Sequence, residues 1–102
     1  MPKDNTRRIT DRLKTSGNLL RRHGVRRLAL FGSAVLGRLG PKSDLDFLVE
    51  FERPTFDAYM SVKEHLESRF GRKVDLVLPD SIKPALRSVI LAQAHDVPVV
   101  SR

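Results

Sequence analysis

A strand–helix–strand unit over residues 44–78 constrains the fold more than any other feature of the sequence. Residues 44–51, DLDFLVEF, and residues 73–78, KVDLVL, predict two strands, and residues 56–70 between them carry apolar side chains at helical spacing. A helical connection of this length favours a parallel pair with a right-handed crossover. A short buried strand over residues 28–31 precedes the unit after only a short connection, which favours an antiparallel pair. The sequence therefore predicts an α/β (α+β) fold, in which helices pack against a small mixed sheet.

Two further helices are predicted at the ends of the chain. The first covers residues 6–22 and stops at Gly24, and the last covers residues 82–95, with Asp80 or Ser81 as its cap and Pro84 in its first turn. The tail, residues 97–100, predicts a short edge strand. The side chains expected to be buried by these helices and by the central one are Ile9, Leu13, Ser16 and Leu20 in the first, Phe56, Tyr59, Met60, Lys63, Leu66 and Phe70 in the second, and Ile82, Leu86, Val89 and Ile90 in the third.

Size and composition narrow the class of protein. A chain of 102 residues suits one domain, residues 1–102, and the lack of cysteine excludes disulfide scaffolds, thiolate zinc sites and cysteine nucleophiles. The apolar runs are too short to cross a bilayer and the polar start lacks the apolar core of a signal peptide, so we expect a cytoplasmic protein without membrane contact.

The positive charge is confined to one segment. Residues 1–27 hold nine Lys and Arg against two Asp, whereas residues 28–102 hold ten basic and ten acidic residues. Such a segment could meet nucleic acid, an acidic protein or an anionic membrane, but a solvated helix face is favoured because no aromatic residues are interleaved.

Three aspartates are predicted to meet at one edge of the sheet. Asp44 and Asp46 lie two apart on a strand, so they project from the same face with α-carbons roughly 6.5–7 Å apart. If the strand pairing is correct, Asp75 and the turn Gly32–Ser33 lie at the same edge. Converging carboxylates repel unless hard cations neutralise them, and two Mg²⁺ ions would suit an in-line phosphoryl displacement. Gly32 lets a phosphate approach the backbone, and Ser33 offers a hydroxyl and free N–H groups.

These residues carry a resemblance to a known family. The segments LFGSAVLGRLGPKSDLDFLV and KVDLVL resemble the minimal nucleotidyltransferases of the DNA polymerase β superfamily, over a catalytic core of residues 25–97 that follows the basic helix 1–24. The resemblance implies a palm-like fold and transfer of a nucleoside monophosphate from a triphosphate, usually ATP, with release of pyrophosphate. It also implies an antitoxin role against a HEPN-type ribonuclease, which such proteins inactivate by adding AMP to a tyrosine.

The resemblance implies a role for each residue of the pattern. Asp44 and Asp46 would hold both metal ions, and Asp75 would bind the catalytic ion and help to activate the acceptor hydroxyl. Gly32 and Ser33 would hold the β- and γ-phosphates. Further predicted nucleotide-binding residues are Arg38, Lys42 and Ser43.

The turn after Gly-Ser departs from the family pattern and leaves alternatives open. Relatives commonly carry arginines where this sequence has Ala34 and Leu36, and their absence weakens binding of the triphosphate unless Arg38 or Lys42 substitutes.

The alternatives to this enzymatic function are an antitoxin that acts by binding alone and a nucleic-acid-binding module built on the basic helix. The acidic pair could also be strand-edge residues that discourage aggregation. Self-association of so small a chain is a further possibility. The three histidines show no ligand spacing.

Overall fold

The computed structural model describes residues 2–98, with side chains from residue 5 onward. None of the helices in this part of the chain combines the length and apolarity needed to span a membrane. In chain order the elements are α1 (Pro2–Arg12), α2 (Gly17–Arg22), β1 (Val25–Phe31), β2 (Leu45–Phe51), α3 (Phe56–Phe70), β3 (Val74–Val77), α4 (Pro84–Gln93) and β4 (His95–Asp96), with short 3₁₀ turns at Lys14–Ser16, Gly32–Ala34 and Pro79–Ser81.

The sheet has the predicted mixed topology. Its strands lie in the order β3-β2-β1-β4. β1 pairs with β2 in the antiparallel sense, and β2 pairs with β3 in the parallel sense through the α3 crossover. The connection lengths therefore predicted both pairings correctly. The tail was expected to add an edge strand, and β4 fills this position beside β1, slightly earlier in the chain than residues 97–100. Residues 99 and 100 lie outside the described part of the chain.

Local sequence signals explain why α3 begins and ends as predicted. The Thr55 side chain accepts a hydrogen bond from the backbone N–H of Ala58 at 3.1 Å, which satisfies a free donor of the first turn. At the other end, Gly71 adopts a left-handed conformation with φ of 62°, and its N–H donates to the Glu67 carbonyl. The helix thus spans the distance between two parallel strands with fixed ends.

The core lies on both faces of the sheet, and β2 contributes to each. Leu45, Phe47 and Val49 point toward the larger cluster, which α1, α2 and α3 cover. Leu48 points to the other face and packs with Ala29 in a smaller cluster beneath α4. This alternation places Asp46 on the α4 side of the sheet, one residue beyond the first core position of the strand.

The predicted single N-terminal helix over residues 6–22 is wrong, because a 3₁₀ turn divides it. The N–H of Leu13 donates to the Thr10 carbonyl and that of Ser16 to the Leu13 carbonyl, which tightens the chain between α1 and α2. The predicted buried stripe is nevertheless confirmed, since Ile9, Leu13, Ser16 and Leu20 are all buried.

The C-terminal helix also differs from its prediction. Residues 79–81 form a separate 3₁₀ turn, so neither Asp80 nor Ser81 caps α4, which begins at Pro84. Of its expected stripe, Ile82 is buried, but Leu86 and Val89 are each 52% exposed. In α3 the prediction fails at Phe56, which is 77% exposed, whereas Val62, outside the predicted stripe, is fully buried.

Candidate active site

The register of β1, β2 and β3 brings the predicted residues to one edge. Phe31, the last residue of β1, lies opposite Asp46, and Asp46 lies opposite Asp75 on β3. Asp44 immediately precedes β2 and is exposed, as is Asp75. The end of β1, the beginning of β2 and the beginning of β3 therefore meet where the sequence placed them.

Gly32 stands in close contact with Asp46. Its φ of 72° lies in the left-handed region, and a Cβ atom at this position would overlap the Asp46 carboxylate and lie 3.0 Å from its Cγ. Only glycine combines this backbone conformation with so close an approach. The N–H of Leu36 then donates to the Gly32 carbonyl at 3.0 Å, which closes the turn.

The carboxylates at this edge interact electrostatically. Burial raises the pKa of Asp46 above its ordinary value, and the charge of Asp75 raises it further. A backbone hydrogen bond from Ser33 lowers this pKa, and Asp44 adds a smaller increase. The pKa of Asp46 therefore depends on the charges of both Asp44 and Asp75.

Tyr59 is a member of this neighbourhood for which the sequence predicted only a core position. Its hydroxyl donates to the Leu76 carbonyl at 2.5 Å, next to Asp75 in β3. Burial, and then the charge of Asp75, raise the pKa of the tyrosine. A tyrosine on the inner stripe of a helix carries no signal for such a contact, because the contact depends on how α3 crosses β3.

The loop between the turn and Asp44 is held by its own hydrogen bonds. The Ser43 hydroxyl accepts from the Gly40 N–H at 2.9 Å, and the Arg72 guanidinium donates to the carbonyls of both residues. Ser43 thus shapes the loop, and the sequence missed Arg72 altogether. Arg38 and Lys42 lie in the same stretch with exposed side chains.

The donor set at the acidic edge suits a hard divalent cation. It consists of carboxylate oxygens, which Mg²⁺ prefers, and their mutual repulsion favours a neutralising charge. Among the side chains of residues 5–98, no three of His, Cys, Asp or Glu are grouped closely enough to hold a metal ion by themselves. An open arrangement is compatible with Mg²⁺, which is usually held by one or two carboxylates together with substrate phosphates and water.

A palm-like mixed sheet with this acidic edge defines the class of the protein as a nucleotidyltransferase. Comparison with known proteins agrees, since the family described as Nucleotidyltransferase domain matches residues 13–96. The chain is also similar to the protein adenylyltransferase MntA of Thermococcus cleftensis, with 38% identity over 76 residues, which is 74% of this chain and 77% of the relative. The chain therefore belongs to the nucleotidyltransferase domain family, and the resemblance to minimal nucleotidyltransferases is confirmed.

Solved structures support the same assignment. A structure described as a candidate minimal nucleotidyltransferase superposes with a TM-score of 0.68 and 32% identity, covering 87% of this chain and 94% of that chain. A toxin–antitoxin crystal structure with AMP-PNP superposes with a TM-score of 0.67 and 26% identity, covering 84% of this chain and 71% of that chain. Enzymes of this family typically use divalent metals.

Proposed function

We propose that this protein transfers AMP from ATP to a hydroxyl of a partner protein, and that it is the antitoxin of a HEPN-type ribonuclease toxin. The observation that carries the proposal is the pairing of Asp46 with Asp75 beside the turn that starts at Gly32. The name of the Thermococcus cleftensis relative, protein adenylyltransferase, supports the reaction. The similar complex with AMP-PNP, a toxin–antitoxin pair, supports the biological role.

The proposed reaction is an in-line displacement at the α-phosphorus of ATP. The acceptor oxygen forms a bond to this phosphorus, the bond to the oxygen that bridges to the β-phosphate breaks, and pyrophosphate leaves. Asp75 accepts the hydroxyl proton, and Gly32 and Ser33 hold the β- and γ-phosphates. Two Mg²⁺ ions held by Asp44, Asp46 and Asp75 would neutralise charge on the attacking and leaving oxygens. Arg38, Lys42 and Ser43 are proposed further contacts of the nucleotide.

A second candidate, an antitoxin that acts by binding alone, is favoured by the turn after Gly-Ser. Ala34 is buried there and Leu36 is 44% exposed, at positions where relatives commonly carry arginine. Neither side chain can form the forked, charge-assisted bonds by which arginine holds phosphate. Nucleic-acid binding by the basic segment, self-association and a cytoplasmic location remain predictions from the sequence.

The decisive experiment measures the intact mass of the partner protein. We expect incubation with ATP and Mg²⁺ to add roughly 329 Da per transferred AMP to the partner. The double variant Asp44→Asn, Asp46→Asn should lower the rate by at least about a hundredfold, because charge stabilisation at the phosphates is lost. Asp80→Asn is the matched control, since this exposed aspartate lies in the turn beyond the opposite end of β3.

The outcome distinguishes the two candidates. An unmodified partner that is nevertheless neutralised equally well by the wild-type protein and by the double variant assigns the protein to binding alone. Labelling that persists in the double variant at the level of Asp80→Asn would refute the proposed active site.

A further inference from the structure

A groove on the opposite face of the sheet from Asp46 concentrates positive charge. It has a volume of about 200 Å³ and is lined by the guanidinium-bearing residues Arg8, Arg12 and Arg72, by Asn5, and by an apolar floor that includes Leu39. Arg8 and Arg12 come from one face of α1, because residues four apart on a helix are neighbours. Among the side chains of residues 5–98, no acidic one lines the groove.

Contacts with neutral groups fix one of these arginines. The Arg12 guanidinium lies 5.6 Å from the ring centroid of Phe70 and donates to the carbonyl of Arg69 at 2.8 Å. Arg69 returns a hydrogen bond from its Nε to the carbonyl of Arg12. These contacts orient the guanidinium without neutralising its charge, because the partners are a ring face and a carbonyl.

Where the structure describes the side chains, no carboxylate forms an ion pair with the arginines of the groove. The ion pairs described among the side chains of residues 5–98 join Lys14 with Asp11, and Arg27 with Glu50 and Asp96. None of the three arginines of the groove takes part in them. Arg72 donates to backbone carbonyls, and Arg8 is exposed.

We propose that this groove binds a small phosphate-bearing anion of the size of pyrophosphate. Guanidinium groups match phosphate oxygens with paired, charge-assisted hydrogen bonds, and three arginines line this groove. A volume of about 200 Å³ lies below the roughly 300–1,000 Å³ typical of pockets for whole small-molecule ligands, which favours an isolated phosphate or diphosphate group over a complete nucleotide.

The groove is separate from the acidic edge, so the inference does not depend on adenylyl transfer. Leu45 lines the groove and points into the larger core, whereas Asp46, the next residue of β2, belongs to the opposite face. The two places are nevertheless joined through the loop that Arg72 holds, because this loop runs from the Gly32–Ala34 turn to Asp44.

The test is a calorimetric titration of the full chain with sodium pyrophosphate in EDTA. Without divalent ions the carboxylates of the acidic edge repel pyrophosphate, and the dependence of binding on Arg8 identifies the groove as the site. We expect Arg8→Gln to weaken binding about tenfold, the effect of losing one charge-assisted contact. Arg7→Gln is the matched control, since Arg7 is exposed on the same helix but does not line the groove. It should change the affinity by no more than about twofold.

Further variants and a second ligand decide between the outcomes. Arg8→Lys should recover part of the affinity, and the Asp44→Asn, Asp46→Asn protein should bind pyrophosphate at least as well as wild type. Equal losses in Arg7→Gln and Arg8→Gln, or no measurable binding to the folded wild-type chain, would overturn the inference. Arg8-dependent binding of a single-stranded oligonucleotide without pyrophosphate binding would also overturn it and assign the groove to a nucleic-acid backbone.

Discussion

The contact between Gly32 and Asp46 allows a test of how the turn sets the active-site geometry. Replacing Gly32 by Ala puts a Cβ atom into the Asp46 carboxylate, 3.0 Å from its Cγ and 3.2 Å from its Cβ. The same substitution also forces a residue with a side chain to adopt a φ of 72°. The variant therefore combines a backbone cost with a displacement of the carboxylate.

The two costs can be separated by a matched glycine. Gly71 has a φ of 62°, but apart from its neighbours in the chain no atom lies within 4 Å of the place that an added methyl group would take. Gly71→Ala should therefore carry only the backbone cost of about 1–2 kcal/mol. Gly32→Ala carries this cost and about 0.5–1.5 kcal/mol more, if Asp46 must leave its preferred rotamer. With a slope of about 1–3 kcal/mol per M urea, both shifts are measurable as changes in unfolding midpoint.

Activity is the second readout and should separate the variants further. Per folded molecule, Gly71→Ala should transfer AMP at close to the wild-type rate, because the added methyl group meets no atom within 4 Å beyond its chain neighbours and so displaces no side chain of the site. Gly32→Ala should lose at least about tenfold, since misplacement of a catalytic group by about 1 Å can cost a hundredfold. If Gly32→Ala matches Gly71→Ala in transfer rate, the turn does not set the position of Asp46 and the reasoning is refuted.

Two further predictions concern stability. Burial and the charge of Asp75 disfavour the charged form of Asp46 and raise its pKa. At neutral pH and without divalent ions, Asp46→Asn should therefore unfold at the same temperature as wild type or at a higher one, and a clearly lower unfolding temperature would contradict this. Burial, and then the charge of Arg69, lower the pKa of His65 from its ordinary value of 6.5. Because the unfolded chain then binds the proton more readily than the folded one, the free energy of unfolding should fall as the pH decreases below about 6.5. In urea unfolding, the decrease of the midpoint below about pH 6.5 should disappear in His65→Gln and persist in the exposed control His95→Gln.

The parts of the fold that the sequence predicted are those that local signals or connection lengths determine. The helix α3 has its predicted bounds because Thr55 and Gly71 satisfy its ends within a few residues. The strand directions follow from how much chain joins each pair, and these directions alone predict that Asp75 lies beside Asp46. Such inferences need no knowledge of how distant side chains pack.

The parts that the sequence could not predict depend on tertiary contacts. The break between α1 and α2 places the buried Ser16 hydroxyl 2.9 Å from Nε2 of His65, a contact across 49 residues. Helical periodicity identifies the apolar face of a helix, but it does not show how much of that face the sheet covers. Phe56, Leu86 and Val89 were therefore expected to be buried, whereas they are exposed.

The acidic edge was predictable because the same strand supplies both the core and the charges. Phe47 and Leu45 anchor β2 in the larger core with almost no exposed surface, and the two-residue period then leaves Asp46 on the other face with little freedom to turn away. Slipping the strand by one residue would relieve the repulsion between Asp46 and Asp75, but it would move the buried side chains out of the core. Hydrophobic burial therefore holds the carboxylates together against their mutual repulsion, and the negative charge that results favours the binding of a cation.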